Sequence, residues 1–173
     1  HTHTGPMVGK NSSSELRGDP VYDEYLGLCM RDATKMALDD VKESTFYVAE
    51  GEAKGISFVR RFRMKDGSVR TNPGVENPDI DYPLGKPNET VKLLKISREN
   101  GDDIFIVNFG VHPDTIGGEY ISADYPGFVR STIEGAIEDT KCIFLLAPQG
   151  DVNHINVAPG KYRTKAHNYE HSK

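Results

Sequence analysis

Two histidines stand two positions apart in His1-Thr2-His3-Thr4-Gly5-Pro6. In an extended segment side chains alternate faces, so both imidazoles point to one side. That spacing offers a metal ion two nitrogen ligands, or one ligand and a neighbouring proton donor. The interleaved threonines and the following Gly-Pro set the pair apart from the unbroken histidine run of an affinity tag. Two further metal-competent residues obey a common local rule, each standing just past the end of an apolar run. His112 follows the run over 104–111, and Asp151, in Pro148-Gln149-Gly150-Asp151, follows the run over 141–147. His1 and His3 fit the same rule if a strand precedes them. In open α/β sheets ligands bind outside the carboxyl ends of strands, so these places can converge on one crevice. Singly, a histidine before proline is more often a hydrogen-bonded turn residue, and Gly150-Asp151 more often a plain turn. The His-x-His pair combined with two strand ends is what points to a metal. His154, His167 and His171 have no such context and read as surface residues.

The elements that must position these groups follow from periodicity. Asp19-Pro20 opens a helix, with the acid as N-cap and the proline where a missing N–H is harmless. Tyr22, Leu26, Cys29, Met30, Ala33, Met36, Ala37 and Val41 recur at three- and four-residue spacing, which predicts one buried stripe. From Ser44 the period changes to two, so Phe46 and Val48, then Ile56 and Phe58, predict strands. Asp66-Gly67 predicts a tight turn between extended segments. Residues 72–88 carry Pro73, Pro78, Pro83 and Pro87 with Gly74 and Gly85, the composition of a long irregular loop.

The apolar runs 91–96 and 104–111 are joined by a polar segment holding Asn100-Gly101, which predicts a hairpin. The second run is nearly continuous in apolar residues and suits a strand covered on both faces. Val129, Ile133, Ala136 and Ile137 mark a second amphipathic helix, and 141–147 another strand. Strand, helix, strand in that order predicts an α/β fold, a mixed sheet with flanking helices.

A chain of 173 residues suits one domain with a sizeable core. Formal charge is −5 with a pI of about 5.7 and the basic residues are scattered, apart from Arg60-Arg61-Phe62-Arg63. Nothing there resembles the footprint of a nucleic-acid-binding surface, so no nucleic-acid partner is expected. No apolar run approaches the ~20 residues of a membrane span. Cys29 on the helical stripe and Cys142 in an apolar strand are expected as two buried free thiols. The chain opens inside a working motif with no initiator methionine or signal peptide and ends in a polar stretch, so the domain is expected to be incomplete at both ends.

Four segments, in order, carry a family resemblance: His1-Thr2-His3-Thr4-Gly5-Pro6, Asn108-Phe109-Gly110-Val111-His112-Pro113, Ser122-Ala123-Asp124-Tyr125-Pro126-Gly127 and Gly150-Asp151-Val152-Asn153. In that order and context the chain resembles the neutral/alkaline, non-lysosomal ceramidase family, over nearly its whole length. It looks like an internal piece of that family's N-terminal catalytic domain. The resemblance implies a zinc amidase that cleaves the amide of N-acylsphingosine, a lipid amide substrate that brings the enzyme to a membrane surface. It further implies a periplasmic or extracellular location.

By position, His1 and His112 match two zinc-ligand histidines of the family, and His3 the neighbouring histidine that helps stabilise the developing oxyanion. The family's active-site arginine falls on Arg60, with Arg61 as the alternative, and its remaining ligands, a glutamate and a tyrosine, fall beyond Lys173. Two departures stand out. The family's Gly-Asp-Val-Ser-Pro carries a serine implicated in catalysis, whereas here Asn153 follows Gly150-Asp151-Val152. Tyr125-Pro126 replaces the Asn-Lys expected after Ser-x-Asp. Asparagine is no nucleophile, so hydrolysis by this chain is expected to rely on metal-activated water. A related metal hydrolase of a different amide or ester, and a catalytically inert structural or binding piece, are the alternatives.

Overall fold

The computed structural model describes residues 1–9 and 18–158. His167 and His171 lie outside the described residues, as does most of the polar stretch that follows Gly9.

Helix α1 (Pro20–Asp39) starts where capping chemistry puts it, the Asp19 carboxylate accepting a hydrogen bond from Val21 N at 2.9 Å. Strand β1 (Ser44–Glu52) follows, then the short β2 (Phe58–Val59). Next come β3 (Arg61–Met64), β4 (Val69–Thr71) and β5 (Ile80–Pro83). The long strands β6 (Thr90–Arg98) and β7 (Asp103–Phe109) precede helix α2 (Asp124–Ala136), and β8 (Thr140–Leu146) and β9 (Val152–Asn153) close the order.

The main sheet runs β1-β6-β7-β8. β1, β6 and β7 are antiparallel neighbours, whereas β7 and β8 run parallel, joined by α2. The fold is thus α/β with a mixed sheet, as the order of periodic segments predicts. The β6–β7 turn uses Asn100 at φ 53, a left-handed conformation that asparagine tolerates. The Asp66-Gly67 turn links β3 and β4, with Ser68 N donating to the Asp66 carboxylate at 2.8 Å and Gly67 at φ 83. The proline-rich stretch is less irregular than its composition suggests, because β5 lies within it and pairs with β3. β5 is an edge strand, so Pro83 there removes no ladder bond on the outer side.

Two small cores hold these parts. Phe62, Met64, Ile80 and Val157 pack in the β3–β5 region. Phe109, Val111 and Tyr125 pack between the main sheet and α2, with Val129, Phe144 and Leu146 around them. Among the described residues only this face of the sheet is covered. Phe46, Val48, Ile143 and Leu145 alternate onto the other face and are exposed, so the double-sided burial predicted for 104–111 is not met.

The α1 stripe departs from expectation in the same way. No residue of α1 is buried, Met30 and Met36 being mostly exposed, and the helix is tied down at its ends rather than along its length. At one end the Asp23 carboxylate accepts from Gly9 N at 3.1 Å. At the other the Arg98 guanidinium donates to the backbone carbonyl of Asp40 at 2.8 Å and pairs with its carboxylate. Both cysteines are free thiols, but Cys29 is exposed and only Cys142 is buried, which corrects the expectation of two buried thiols. His154 is buried as well, not a surface residue.

The thiols are therefore expected to react at very different rates. Burial first, and then the Glu134 carboxylate, raise the pKa of Cys142, which lowers its thiolate fraction as well as its access. Alkylation of the native protein followed by peptide mass mapping should modify Cys29 and leave Cys142 protected until denaturant is added.

Candidate metal centre

The parallel pairing of β7 and β8 has a direct consequence for chemistry, since both strands leave the sheet at one edge. β7 runs out through Gly110 and Val111 into His112, and β8 runs out through Ala147 and Pro148 into Gln149. The exits pack tightly. A Cβ on Gly110 would lie 2.9 Å from the Pro148 carbonyl oxygen and 3.3 Å from the Ala147 methyl, so a side chain there would force them apart. Ala147 N donates to Phe109 O at 3.0 Å, carrying the ladder one step past the strands.

The segment bearing His112 is held on both sides. Tyr125, on the first turn of α2, donates its hydroxyl to Val111 O at 2.9 Å. Its phenol is pushed well above its ordinary pKa, chiefly by burial, and stays protonated to serve as that donor. Beyond the histidine, Asp114 N donates to His112 O at 2.8 Å, which closes a tight turn. Asp124, almost wholly buried, then collects the next donors. Its Oδ2 accepts from Thr115 N and Ile116 N, both at 3.0 Å, and its Oδ1 from Thr115 Oγ1 at 2.6 Å and Tyr125 N at 2.8 Å. Asp124 takes φ 55 to do so.

Onto this frame the chain start folds back. Ser122 N donates to Thr4 O at 3.2 Å, and Thr4 is buried. His1, His3 and His112 meet there, with ring centroids 5.2, 4.8 and 5.0 Å apart and planes inclined by 61° to 74°. One ligand-capable atom from each ring lies within 4.8 Å of the others, a group that can hold a metal ion. His3 Nε2 is 3.0 Å from His112 Nε2. The outer nitrogens have acceptors: His3 Nδ1 faces Asp114 Oδ1 at 3.2 Å, and His112 Nδ1 donates to Gln149 Oε1. Outer contacts of this kind fix the tautomer and aim of metal-binding imidazoles. His112 is buried at the base, whereas His1 and His3 are exposed, so the centre opens to solvent on their side. Donor chemistry and spacing both fit a metal of the zinc type.

The remaining sequence candidates fall around this centre unevenly. Arg60 donates from Nε and Nη2 to the Gly150 carbonyl at 3.0 and 2.8 Å, and its own N–H bonds Asp151 O at 2.9 Å. It thereby clamps the loop that carries Gln149. Arg61 is exposed on β3, paired across the strand with Thr71. The Asp151 side chain is exposed. Asn153 pairs with Phe58 in the two-residue β2–β9 ladder and accepts from His154 N at 2.8 Å. Asp114, Gln149 and Asp124 were missed as site residues. Gln149 stands three residues past the end of β8 and Asp114 five past the end of β7, but nothing in that spacing says which histidine either would meet.

The chain matches no known family profile and no curated protein. Solved structures do share its fold. The crystal structure of neutral ceramidase from Pseudomonas aeruginosa superposes with a TM-score of 0.56 at 19% identity, over 82% of this chain and 22% of that one. A ceramidase complexed with C2 gives a TM-score of 0.56 at 18% identity, over 80% and 21%. The chain therefore spans about a fifth of the length of the proteins it is similar to. At these identities the likeness is one of fold.

Proposed function

We propose that this chain is part of a zinc-dependent hydrolase that cleaves an amide bond, with a lipid amide of the N-acylsphingosine type as its substrate class. The observation that carries the reading is the convergence of His1, His3 and His112 at the carboxyl ends of two parallel strands. The fold shared with neutral ceramidases supports the substrate class.

His1 and His112 would hold the ion. Zinc on imidazole ligands supplies Lewis acidity, activating water near neutral pH and drawing charge from a carbonyl oxygen. Hydrolysis adds water across the amide: an oxygen–carbon bond forms, the carbon–nitrogen bond breaks, and the leaving amine takes a proton. Asn153 offers no nucleophilic oxygen, so the attacking oxygen comes from water. Arg60, rather than the exposed Arg61, is the cation suited to the centre, because it already lies on the loop whose Gln149 holds His112. Gln149 keeps His112 Nδ1 occupied so that Nε2 faces inward. Gln149→Leu should leave the fold intact and weaken zinc binding by about 10–100-fold, as loss of an outer partner of a metal histidine does; competition with a chromophoric chelator measures it.

A lipid amide also requires the centre to be reachable from a membrane surface, in keeping with a periplasmic or extracellular enzyme. No described helix is long and apolar enough to cross a membrane. A second reading keeps the metal and changes the substrate to a polar amide or ester, motivated by Asn153 standing where the ceramidases have serine.

The test is fatty-acid release by the natural full-length protein from N-acylsphingosine, beside acylated sugars and acyl-peptides. Release from N-acylsphingosine that stops on chelation and returns with zinc is the expected result. Activity confined to the polar substrates would favour the second reading, and no hydrolysis of any of them with zinc bound would leave an inert binding piece.

A further inference from the structure

The two edges of the main sheet are finished differently. At the β8 edge Arg130 Nε donates to Cys142 O at 2.9 Å, and Cys142 N donates to the Glu134 carboxylate at 2.8 Å. Side chains of α2 thus occupy backbone groups that a further strand would need. β1, at the other edge, is paired on one side only, with β6. Ala53 N donates to Glu89 O at 2.8 Å and Glu99 N to Glu43 O at 3.0 Å, and these two bonds bracket the β1–β6 ladder. Antiparallel pairs alternate between bonded and non-bonded, so the odd-numbered residues of β1 bond to β6. Ser44, Phe46, Val48, Glu50 and Glu52 therefore turn their N–H and C=O groups to the free edge, and no group among the described residues meets them.

Open sheet edges are ordinarily guarded by a short strand, a bulge, a proline or a lysine. β1 has none of these: it runs nine residues, its register with β6 is unbroken, and Ser44–Glu52 contains no proline or lysine. Val48, at its centre, is 83% exposed. The strand is also complementary to itself. In an antiparallel pair centred on Val48, Val48 faces its own copy, Phe46 faces Glu50 and Ser44 faces Glu52, so outward amides meet outward carbonyls along the whole strand. No like charges oppose each other, and Glu50 already has Lys92 beside it in β6. On the other face Tyr47 lies across from Ala49, a large ring beside a small side chain. Centring the pair on Glu50 instead sets that acid against itself and shortens the ladder, and centring it on Phe46 shortens the ladder equally. We propose that the free edge of β1 pairs antiparallel with β1 of a second copy of this chain, with the two-fold axis at Val48, so that two main sheets join into one. This pairing needs nothing from the metal centre.

Sedimentation velocity of the natural full-length protein over a concentration series reads the association, and a dimer is the expected result. Val48→Pro removes an amide that points outward rather than one used by β6, so the fold should persist while the dimer Kd rises by about tenfold or more, the scale of two lost hydrogen bonds. Val48→Lys sets two like charges face to face and should weaken the dimer without altering the backbone. Circular dichroism checks that both variants are folded. In a Cys29→Ser background, mixed Tyr47→Cys and Ala49→Cys proteins oxidised with diamide should cross-link to each other faster than either does to itself. A monomer at every concentration, the result if another strand of the natural protein occupies this edge, would overturn the pairing. So would a dimer indifferent to both folded Val48 variants, or cross-linking with no preference for the mixture.

Discussion

His112→Ala is expected to abolish metal binding and hydrolysis together while leaving the fold in place. The ring sits at the base of the centre, buried, with Nδ1 on Gln149 and Nε2 3.0 Å from His3 Nε2. Removing it takes away the proposed ligand whose direction is most firmly set, because the backbone on either side is held by Tyr125 and Asp124. The loss should exceed the roughly 10–100-fold that removal of an outer partner costs in metal affinity. Turnover should fall to the uncatalysed background, because water is then no longer activated near neutral pH. Zinc content after gel filtration, thermal unfolding and amide turnover on one preparation separate the outcomes. A variant that melts as wild type does, keeps its zinc and turns over normally would show that His112 is not a ligand.

Asp124→Ala is expected to be the most damaging substitution for stability in the described chain. The carboxylate is 1% exposed and accepts from Thr115 N, Ile116 N, Thr115 Oγ1 and Tyr125 N. Each donor left without an acceptor in a buried place costs about 1–3 kcal/mol, and water entering the gap recovers part of that. A net loss of roughly 3–5 kcal/mol follows, the range seen when one side of a buried charged network is removed. Asp124→Asn would not restore the lost stability, although asparagine tolerates the left-handed backbone found there. An amide nitrogen would replace one of two oxygens that each receive two hydrogens. Denaturant midpoints of Asp124→Ala and Asp124→Asn, both well below wild type, are the expected readout. Because the 112–116 segment carries His112 and Asp114, weaker metal binding should accompany the loss even in protein that remains folded.

What could be read from the chain followed a physical rule, and so did what could not. The two exits from β7 and β8 were legible because a parallel pair delivers both carboxyl ends to one edge, and apolar runs followed by His112 or by Gln149-Gly150-Asp151 mark such ends. The His1–His3 spacing was legible because alternation puts both rings on one side. The outer contacts were not. Asp114 reaches His3 across more than a hundred residues of chain, and Gln149 reaches His112 only after β8 has been placed beside β7. Spacing carries no signal for either. The α1 stripe misled for a related reason. Three- and four-residue periodicity states that a helix has an apolar side, not that a described element lies against it, and Met30 and Met36 remain largely exposed. The proline-rich stretch hid β5 because an edge strand can accommodate Pro83, which composition counts as a breaker.

The most direct measurement of the centre is anomalous diffraction from crystals of the protein grown with zinc, recorded on the high-energy side of the zinc absorption edge. The expected result is one strong anomalous peak bounded by His3 Nε2, His112 Nε2 and the His1 ring. A map with no peak in that triangle, whether or not zinc is found elsewhere on the molecule, would contradict the metal centre and the hydrolysis proposed to depend on it.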